Sequence, residues 1–235
     1  MSTIAIITAR GGSKRIPRKN IKEFCGKPIL AYSIDAALKS KVFDHVMVST
    51  DDYEIAEIAK KYGAEVPFMR SKETASDYAT TYDVLAEVID CYEKMGVTVE
   101  NFCCIYPCAP FVTAEKLIEG KRLLLEKNAS RICPIVRFSF PPQRCYVVDA
   151  DGRISFKFPE YFNHRTQDLE PFYHDCGQFY WMNTKKYIAS KGKLGDDSYY
   201  MEIDELEVQD IDNETDWQLA EIKYKLMLER NKSSK

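Results

Sequence analysis

The sequence predicts an α/β protein with a doubly wound, mostly parallel sheet and an inserted β-hairpin arm. Three observations lead there. Strand-like and helix-like stretches alternate through the first 136 residues. A glycine-rich, basic loop follows the first apolar run. The alternation then stops at Arg137 and gives way to an aromatic segment with a hairpin signal.

Ile4 to Thr8 is a short apolar run rich in β-branched residues, which suits a buried strand. Pro28 to Leu38 reads as a helix and Val46 to Ser49 as the next strand. Ile55, Ile58, Ala59 and Tyr62 share one helical face. Glu65 to Phe68 is a brief strand candidate. Tyr82, Leu85, Ala86, Ile89 and Tyr92 line another helix, and Phe102 to Tyr106 a strand. Lys116 to Leu125 reads as helix and Arg131 to Val136 as strand. Such alternation implies parallel strands joined by crossover helices, with ligands beyond the carboxyl ends of the strands.

Residues 138–171 read as an insertion within a single domain spanning 1–235. Asp149-Ala150-Asp151-Gly152 is a turn signal between Tyr146-Val147-Val148 and Ile154-Ser155-Phe156, so a hairpin is expected. Seven aromatics (Phe138, Phe140, Tyr146, Phe156, Phe158, Tyr161, Phe162) are many for a solvated arm and point to burial against a second subunit. Gln178 to Met182 returns to strand pattern. A final helix from about Glu214 to Leu228 puts Trp217, Ala220, Tyr224 and Met227 on one face.

Composition limits the function classes. The chain has 235 residues, 45% hydrophobic and 29% charged, with net charge −3 and no separate charged tail, so nothing global points to nucleic acid or membrane. No apolar run approaches the roughly 20 residues that span a bilayer. The N-terminus lacks a signal-peptide pattern, so a cytoplasmic location is expected. The eight cysteines form no Cys-x-x-Cys pair, and reduced thiols are expected.

The chemistry begins at Ala9-Arg10-Gly11-Gly12-Ser13-Lys14-Arg15-Ile16-Pro17-Arg18-Lys19-Asn20. Five of these twelve residues are Arg or Lys, in a chain of net negative charge. Adjacent glycines let the backbone come close to a ligand, and successive N–H groups can form an anion nest. The loop is neither a P-loop nor a dinucleotide fingerprint. A polyanion such as a triphosphate accounts for it, with a solvated basic turn as the plainer alternative. Near the other end, Asp210 and Asp212 lie two apart. In an extended segment they project to one side, an arrangement suited to magnesium. Helix capping by Asp212 or Asn213 is the competing explanation. Asp51 and Asp52 precede a helix, and capping explains them without chemistry.

The stretch Ala9 to Lys14, with Ile16-Pro17 and Lys19-Asn20, resembles the signature of the acylneuraminate cytidylyltransferases, and the likeness extends through nearly the whole chain. The resemblance implies a Rossmann-like nucleotidyltransferase domain, with CTP and a nonulosonic acid sugar as substrates, Mg2+ as cofactor, and a homodimer. Arg10, Lys19 and Asp210 would be catalytic. Arg10, Gly11, Gly12, Ser13, Lys14, Lys19, Asn20, Arg70, Thr80 and Thr81 would hold the nucleotide, and Asp210 and Asp212 the metal. Arg70 to Asp77 resembles the family's Arg-Pro-x-x-Leu-Ala-x-Asp loop, in which Asp77 could also cap the next helix. Tyr106 stands where sialic acid synthetases usually carry Gln, beside the acceptor. Tyr106, Arg144, Arg165, Gln167, Tyr173 and Gln178 are the acceptor-site candidates, Arg144 and Arg165 because Arg clamps carboxylates. The Phe138–Arg144 and Tyr173–Trp181 segments are most similar to the branch that activates pseudaminic acid. N-acetylneuraminic, legionaminic and eight-carbon acids remain open as acceptors, and so does a nucleotide-binding regulator without turnover. No residue qualifies as the general base, His174 included.

Overall fold

The computed structural model describes residues 1–233. Strand β1 (Ser2–Thr8) leads through the basic loop to a small hairpin, β2 (Glu23–Phe24) with β3 (Lys27–Pro28). Helix α1 (Leu30–Ser40), β4 (His45–Ser49), α2 (Tyr53–Lys61), the single turn α3 (Lys72–Ala75) and α4 (Thr81–Lys94) follow. Then come β5 (Val99–Ile105), α5 (Ala114–Glu126) and β6 (Arg131–Arg137). The arm carries β7 (Tyr146–Val148) and β8 (Ile154–Phe156). The chain closes with β9 (Tyr173–Asp175), β10 (Phe179–Asn183), α6 (Thr184–Ala189), β11 (Ser198–Glu202) and α7 (Glu214–Ser233).

The main sheet runs β11-β6-β10-β5-β1-β4, with β9 also paired to β6. Strands β4, β1 and β5 are mutually parallel, as are β6 and β11. Strand β10 enters antiparallel between β5 and β6, and β9 is antiparallel to β6. The sheet is therefore mostly parallel, with two strands reversed in its later half. The sequence stretch Glu65 to Phe68 does not form the expected strand. It contributes one bridge, Met47 to Glu65, because the chain turns away after a single β4 contact.

The period-two pattern of β1 explains the layers. Ala5 and Ile7 face a core shared with Leu30 and Ile34 of α1, Ile55 of α2 and Leu117 of α5. Ile4 and Ile6 face the opposite core, with Leu85, Val88 and Tyr92 of α4 and Tyr187 of α6. Both faces of the strand are covered, so it reads as a continuous apolar run. Each fully buried Ile contributes on the order of 1.5–3 kcal/mol.

A third cluster holds the functional end. Ile16, Phe24, Ile29, Tyr32 and Phe111 pack with Ile211, Trp217, Ala220 and Met227, which docks α7 against the segment after the basic loop. Phe24 meets Tyr32, Trp217 and Tyr224 edge to face at 5.5–5.6 Å.

In the arm, the turn forms as expected. Asp149 Oδ1 accepts from the backbone N–H groups of Asp151 and Arg153, and Gly152 takes φ +79°. Some arm aromatics pack on each other, Tyr146 on Phe156 at 4.7 Å and Phe156 on Phe162 at 5.2 Å. Phe140 stays 88% exposed.

Helix α5 crosses the sheet closely at Gly120, where an added Cβ would sit 2.5 Å from Trp181 Cδ1. Trp181 is itself stacked on Phe43 at 5.0 Å and has little freedom to shift. Overpacking costs about 1–3 kcal/mol, while Ala gains about 1 kcal/mol over Gly in helix propensity. Gly120→Ala should therefore lower urea-unfolding stability by roughly 1 kcal/mol. A stabilised variant would contradict this packing.

Candidate active site

A cleft of about 310 Å³ opens at the carboxyl end of β1. Its walls include Arg10, Lys19, Asn20, Arg70, Asp77, Thr80, Thr81, Tyr106, Cys108, Gly177 and Asp210. Residues from both ends of the chain and from three crossover loops thus meet in one place, beyond the strand ends as doubly wound sheets favour.

The basic loop is shaped by its own backbone and by acids on neighbouring elements. Ser13 Oγ donates to Ile16 O at 2.6 Å, and Ser13 N to Gly11 O at 3.0 Å. Gly11 N donates to Asp51 Oδ1 at 2.9 Å, and a Cβ on Gly11 would lie 2.7 Å from Asp52 Oδ2. That close approach accounts for glycine at position 11. Asp52 caps α2, accepting from Glu54 N and Ile55 N, and also pairs with Arg18. The Arg18 guanidinium holds the Asp52 carboxyl below the usual carboxylate range. Asn20, nearly buried, donates from Nδ2 to Arg10 O at 2.8 Å and so props the loop from beneath.

Arg10 and Lys14 converge on Asp77, at 2.8 and 2.5 Å. Asp77 does not cap α4. Thr80 does, in a capping box with Asp83, because it stands at the position whose side chain can reach the first free N–H groups. Arg70 is buried against β4, donating from Nε to Ser49 Oγ at 3.0 Å and from Nη2 to Ser49 O at 2.7 Å. Desolvation lowers its pKa, yet a guanidinium starts so high that it remains a cation.

On the facing wall, Ile211 is buried in the third cluster, which turns Asp210 and Asp212 on either side of it outward. Lys19 Nζ donates to Ile211 O at 2.6 Å and lies 4.0 Å from Asp212 Oδ1. Arg15 pairs with Asp212 at 2.6 Å. The Asp210 carboxyl is raised above its ordinary range, first by desolvation at the cleft wall and then by the Asp212 charge. Capping of α7 falls to Asn213, whose Oδ1 accepts from Asp216 N at 3.0 Å, so Asp212 is not used there.

Cys108 also lines the cleft and donates from Sγ to Asn20 Oδ1 at 3.2 Å. Burial pushes its thiol up to about 12, so it stays protonated at neutral pH and is no nucleophile. All eight cysteines are free thiols. Among the described residues no group of three or more His, Cys, Asp or Glu is arranged to hold a metal ion.

A second cavity of about 430 Å³ adjoins the first across Thr80, Thr81 and Tyr106, and is lined further by Arg131, Asp175 and Tyr180. Tyr180 donates to Asp175 Oδ1 at 2.5 Å and meets Tyr106 edge to face. Asp175, Tyr180 and Arg131 were not singled out from sequence. Asp175 and Tyr180 fall within the Tyr173–Trp181 segment, but nothing local marks them or Arg131 as site residues, since three separate strands bring them together.

Other candidates lie elsewhere in this chain. Arg144 donates to the carbonyls of Phe162 and His164 within the arm, and Arg165 pairs with Asp168 at 2.8 Å, with Gln167 in the same short turn. Tyr173 stacks near Tyr200 at 6.3 Å. Gln178 is buried and donates from Nε2 to Glu207 O at 2.6 Å. Gly11, Gly12, Ser13 and Lys14 belong to the loop beside Arg10 but do not line the cleft, and Asp212 does not line it either.

Comparison with known proteins gives a consistent result. Residues 4–115 match the family model described as Cytidylyltransferase. The chain is 35% identical over 226 residues to the pseudaminic acid cytidylyltransferase of Campylobacter jejuni, covering 96% of this chain and 97% of that one. It is 34% identical to the CMP-N,N'-diacetyllegionaminic acid synthase of Legionella pneumophila, covering 94% and 95% of the two chains. Its fold is similar to that of a CMP:2-keto-3-deoxy-manno-octonic acid synthetase complexed with CTP, with TM-score 0.68, 15% identity, and 97% and 100% of the chains covered.

The raised Asp210 carboxyl has a consequence for stability. A carboxyl whose folded pKa lies above its unfolded value costs stability once pH rises through that folded value. Asp210→Asn removes this cost. Without divalent cations its Tm should equal or exceed that of the parent at neutral pH, and the gain should fade as pH falls into the acid range. A lower Tm at neutral pH would show that Asp210 is held by favourable contacts instead.

Proposed function

This chain belongs to the cytidylyltransferase family, and on that premise we propose that it transfers CMP from CTP to the anomeric hydroxyl of a nonulosonic, sialic-acid-like sugar, releasing pyrophosphate. The observation that carries this reading is the single cleft in which Arg10 and Lys19, from the loop after β1, face Asp210 from the segment that leads into α7.

CTP would lie with its phosphates along the basic loop and its base toward Arg70, Thr80 and Thr81. Arg10, Lys14 and Lys19 would offset the charge that grows on the α-phosphate and on the departing pyrophosphate. Lys19 is already oriented by its bond to Ile211 O, so little reorganisation is needed at the moment of reaction. Asn20 would act by fixing the Arg10 carbonyl and so the loop's height above the cleft. The anomeric hydroxyl would attack the α-phosphorus in line, with pyrophosphate leaving on the loop side. No side chain is assigned as the general base.

The acid pair fits a magnesium ion. Asp210 and Asp212 flank the buried Ile211, the Asp210 carboxyl is raised first by desolvation and then by the Asp212 charge, and magnesium is commonly held by one or two carboxylates plus substrate phosphates. Asp210 and Asp212 would hold it. When bound, the ion offsets negative charge on the phosphate oxygens.

The acceptor would occupy the second cavity, past Tyr106, where Asp175 and Tyr180 supply an acceptor and a hydroxyl. Pseudaminic acid is the favoured acceptor, on the likeness of the Phe138–Arg144 and Tyr173–Trp181 segments and on the Campylobacter relative. The Legionella relative, at 34% identity, keeps a legionaminic acid as the second reading. We also place the exposed arm aromatics, Phe140 and Phe162, against a second copy in a homodimer. Arg144 and Arg165 stand on that arm, beside the contact it would make.

Pyrophosphate release with CTP, magnesium and a panel of nonulosonic acids tests this reading. Turnover is expected with pseudaminic acid foremost, and none with any acid of the panel would overturn it. Asp210→Asn should fold normally and lose turnover by orders of magnitude, and Lys19→Ala should be severely impaired. Near-parent activity in Asp210→Asn would remove the metal assignment, and in Lys19→Ala the phosphate role.

A further inference from the structure

The cations of the basic loop are matched by carboxylates of the same chain, and the matches differ in kind. Arg18 pairs with Asp52 and Glu54, but Asp52 also caps α2, so that pair belongs to the frame. Asp77 has no second task. It lies between α3 and α4 and caps neither, since Ser71 caps one and Thr80 the other. Its two oxygens are divided between two cations, Oδ1 to Arg10 and Oδ2 to Lys14. One anion gripped by an arginine and a lysine of a glycine-rich loop is how a phosphate group would be held there. The seat is in the right place too, because Asp77 and Arg10 both line the cleft.

We propose that Asp77 is an internal counter-ion standing in the seat of a nucleotide phosphate, and that a triphosphate or pyrophosphate group binds by displacing it. The proposal rests on the reading of the basic loop as the triphosphate site. The segment that carries Asp77 is built to let go. Its ends are fixed, Ser71 by a bond from its N–H to Glu87 and Thr80 by the capping box. Thr74 adds a bond from its hydroxyl to Glu87, and beyond it, from Ser76 to Ala79, the long-range bonds are those of Asp77 to Arg10 and Lys14, while neighbouring Tyr78 is 95% exposed. Half-exposed ion pairs of this sort are weak and exchange readily. The two cations hold the Asp77 carboxyl below its ordinary range, Lys14 first, so it is a full negative charge at neutral pH.

The arrangement sets a charge threshold. A ligand with several phosphate charges regains two cations in exchange for two weak pairs, while a monophosphate gains less. Asp77 therefore discriminates against weakly charged ligands and, by returning to its seat, favours departure of pyrophosphate after the reaction.

Calorimetric titration of inorganic pyrophosphate and of CTP, each with magnesium, decides the matter on the parent, Asp77→Asn, Asp77→Glu and Arg10→Ala. Asp77→Asn should bind pyrophosphate about three- to tenfold more tightly, as loss of two exposed pairs implies. Asp77→Glu, which keeps the charge, should return toward the parent, and Arg10→Ala should bind more weakly. Unchanged or weaker binding in Asp77→Asn, with Arg10→Ala still impaired, would overturn the counter-ion and leave the loop reading standing. Unchanged binding in both would remove the loop reading itself, and the counter-ion with it. Asp77 is exposed, and an unaltered urea midpoint in Asp77→Asn would separate these outcomes from a folding defect.

Discussion

Ile211 lies between two aspartates and is buried among Ile16, Phe24, Phe111 and Trp217. Its backbone carbonyl receives Lys19, 192 residues earlier in the chain. Because the side chain is taken by the core, the flanking carboxylates turn outward, Asp210 onto the cleft wall and Asp212 toward Arg15 and Lys19 of the loop that follows β1. Trp217, Ala220 and Met227 hold α7 in place, and α7 in turn holds the acid pair opposite the basic loop.

The junction gathers charge in a way that the fold alone does not reward. Asp210 and Asp212 repel each other, and Arg10, Lys14, Arg15, Arg18 and Lys19 crowd one loop. The chain relieves this with its own counter-charges: Asp77 for Arg10 and Lys14, Asp212 for Arg15, Asp52 and Glu54 for Arg18. These pairs are mostly solvent-exposed and worth little individually. On the reading proposed above, a polyphosphate with a divalent cation would carry the same charges in a denser form and replace several of them at once. Like-charge crowding beside weak, exposed internal pairs is what that reading expects of a site for an ionic ligand.

Much of this was legible in the sequence. A β-branched apolar run located β1, helical patterns located α1, α2, α4 and α5, and the Asp149–Gly152 turn signal located the β7–β8 hairpin, because each is written in residues close together in sequence. The Asp210–Asp212 spacing and the glycine-rich loop were also legible, since both depend on residues adjacent in sequence. What escaped depends on distant partners. Strand β11 is half exposed at a sheet edge, so its apolar signal is faint. Helix α6 is only six residues long, although Asn183 before Thr184 is a capping signal that could have marked it. The reversal of β10 cannot be read from a strand's composition. Asp77 looked like a helix cap because Asp before a helix commonly is one, and only the folded chain shows Thr80 in that role and Asp77 facing Arg10 and Lys14.

The most direct test of the shared cleft is CTP affinity measured twice, with magnesium and with a chelator, in the parent chain and in Asp210→Asn. If one nucleotide bridges the basic loop and the acid pair, magnesium should strengthen binding in the parent and much less in the variant, while chelator-only affinities stay similar or favour Asp210→Asn. An equal magnesium effect in both proteins would mean that the acid pair and the nucleotide do not meet.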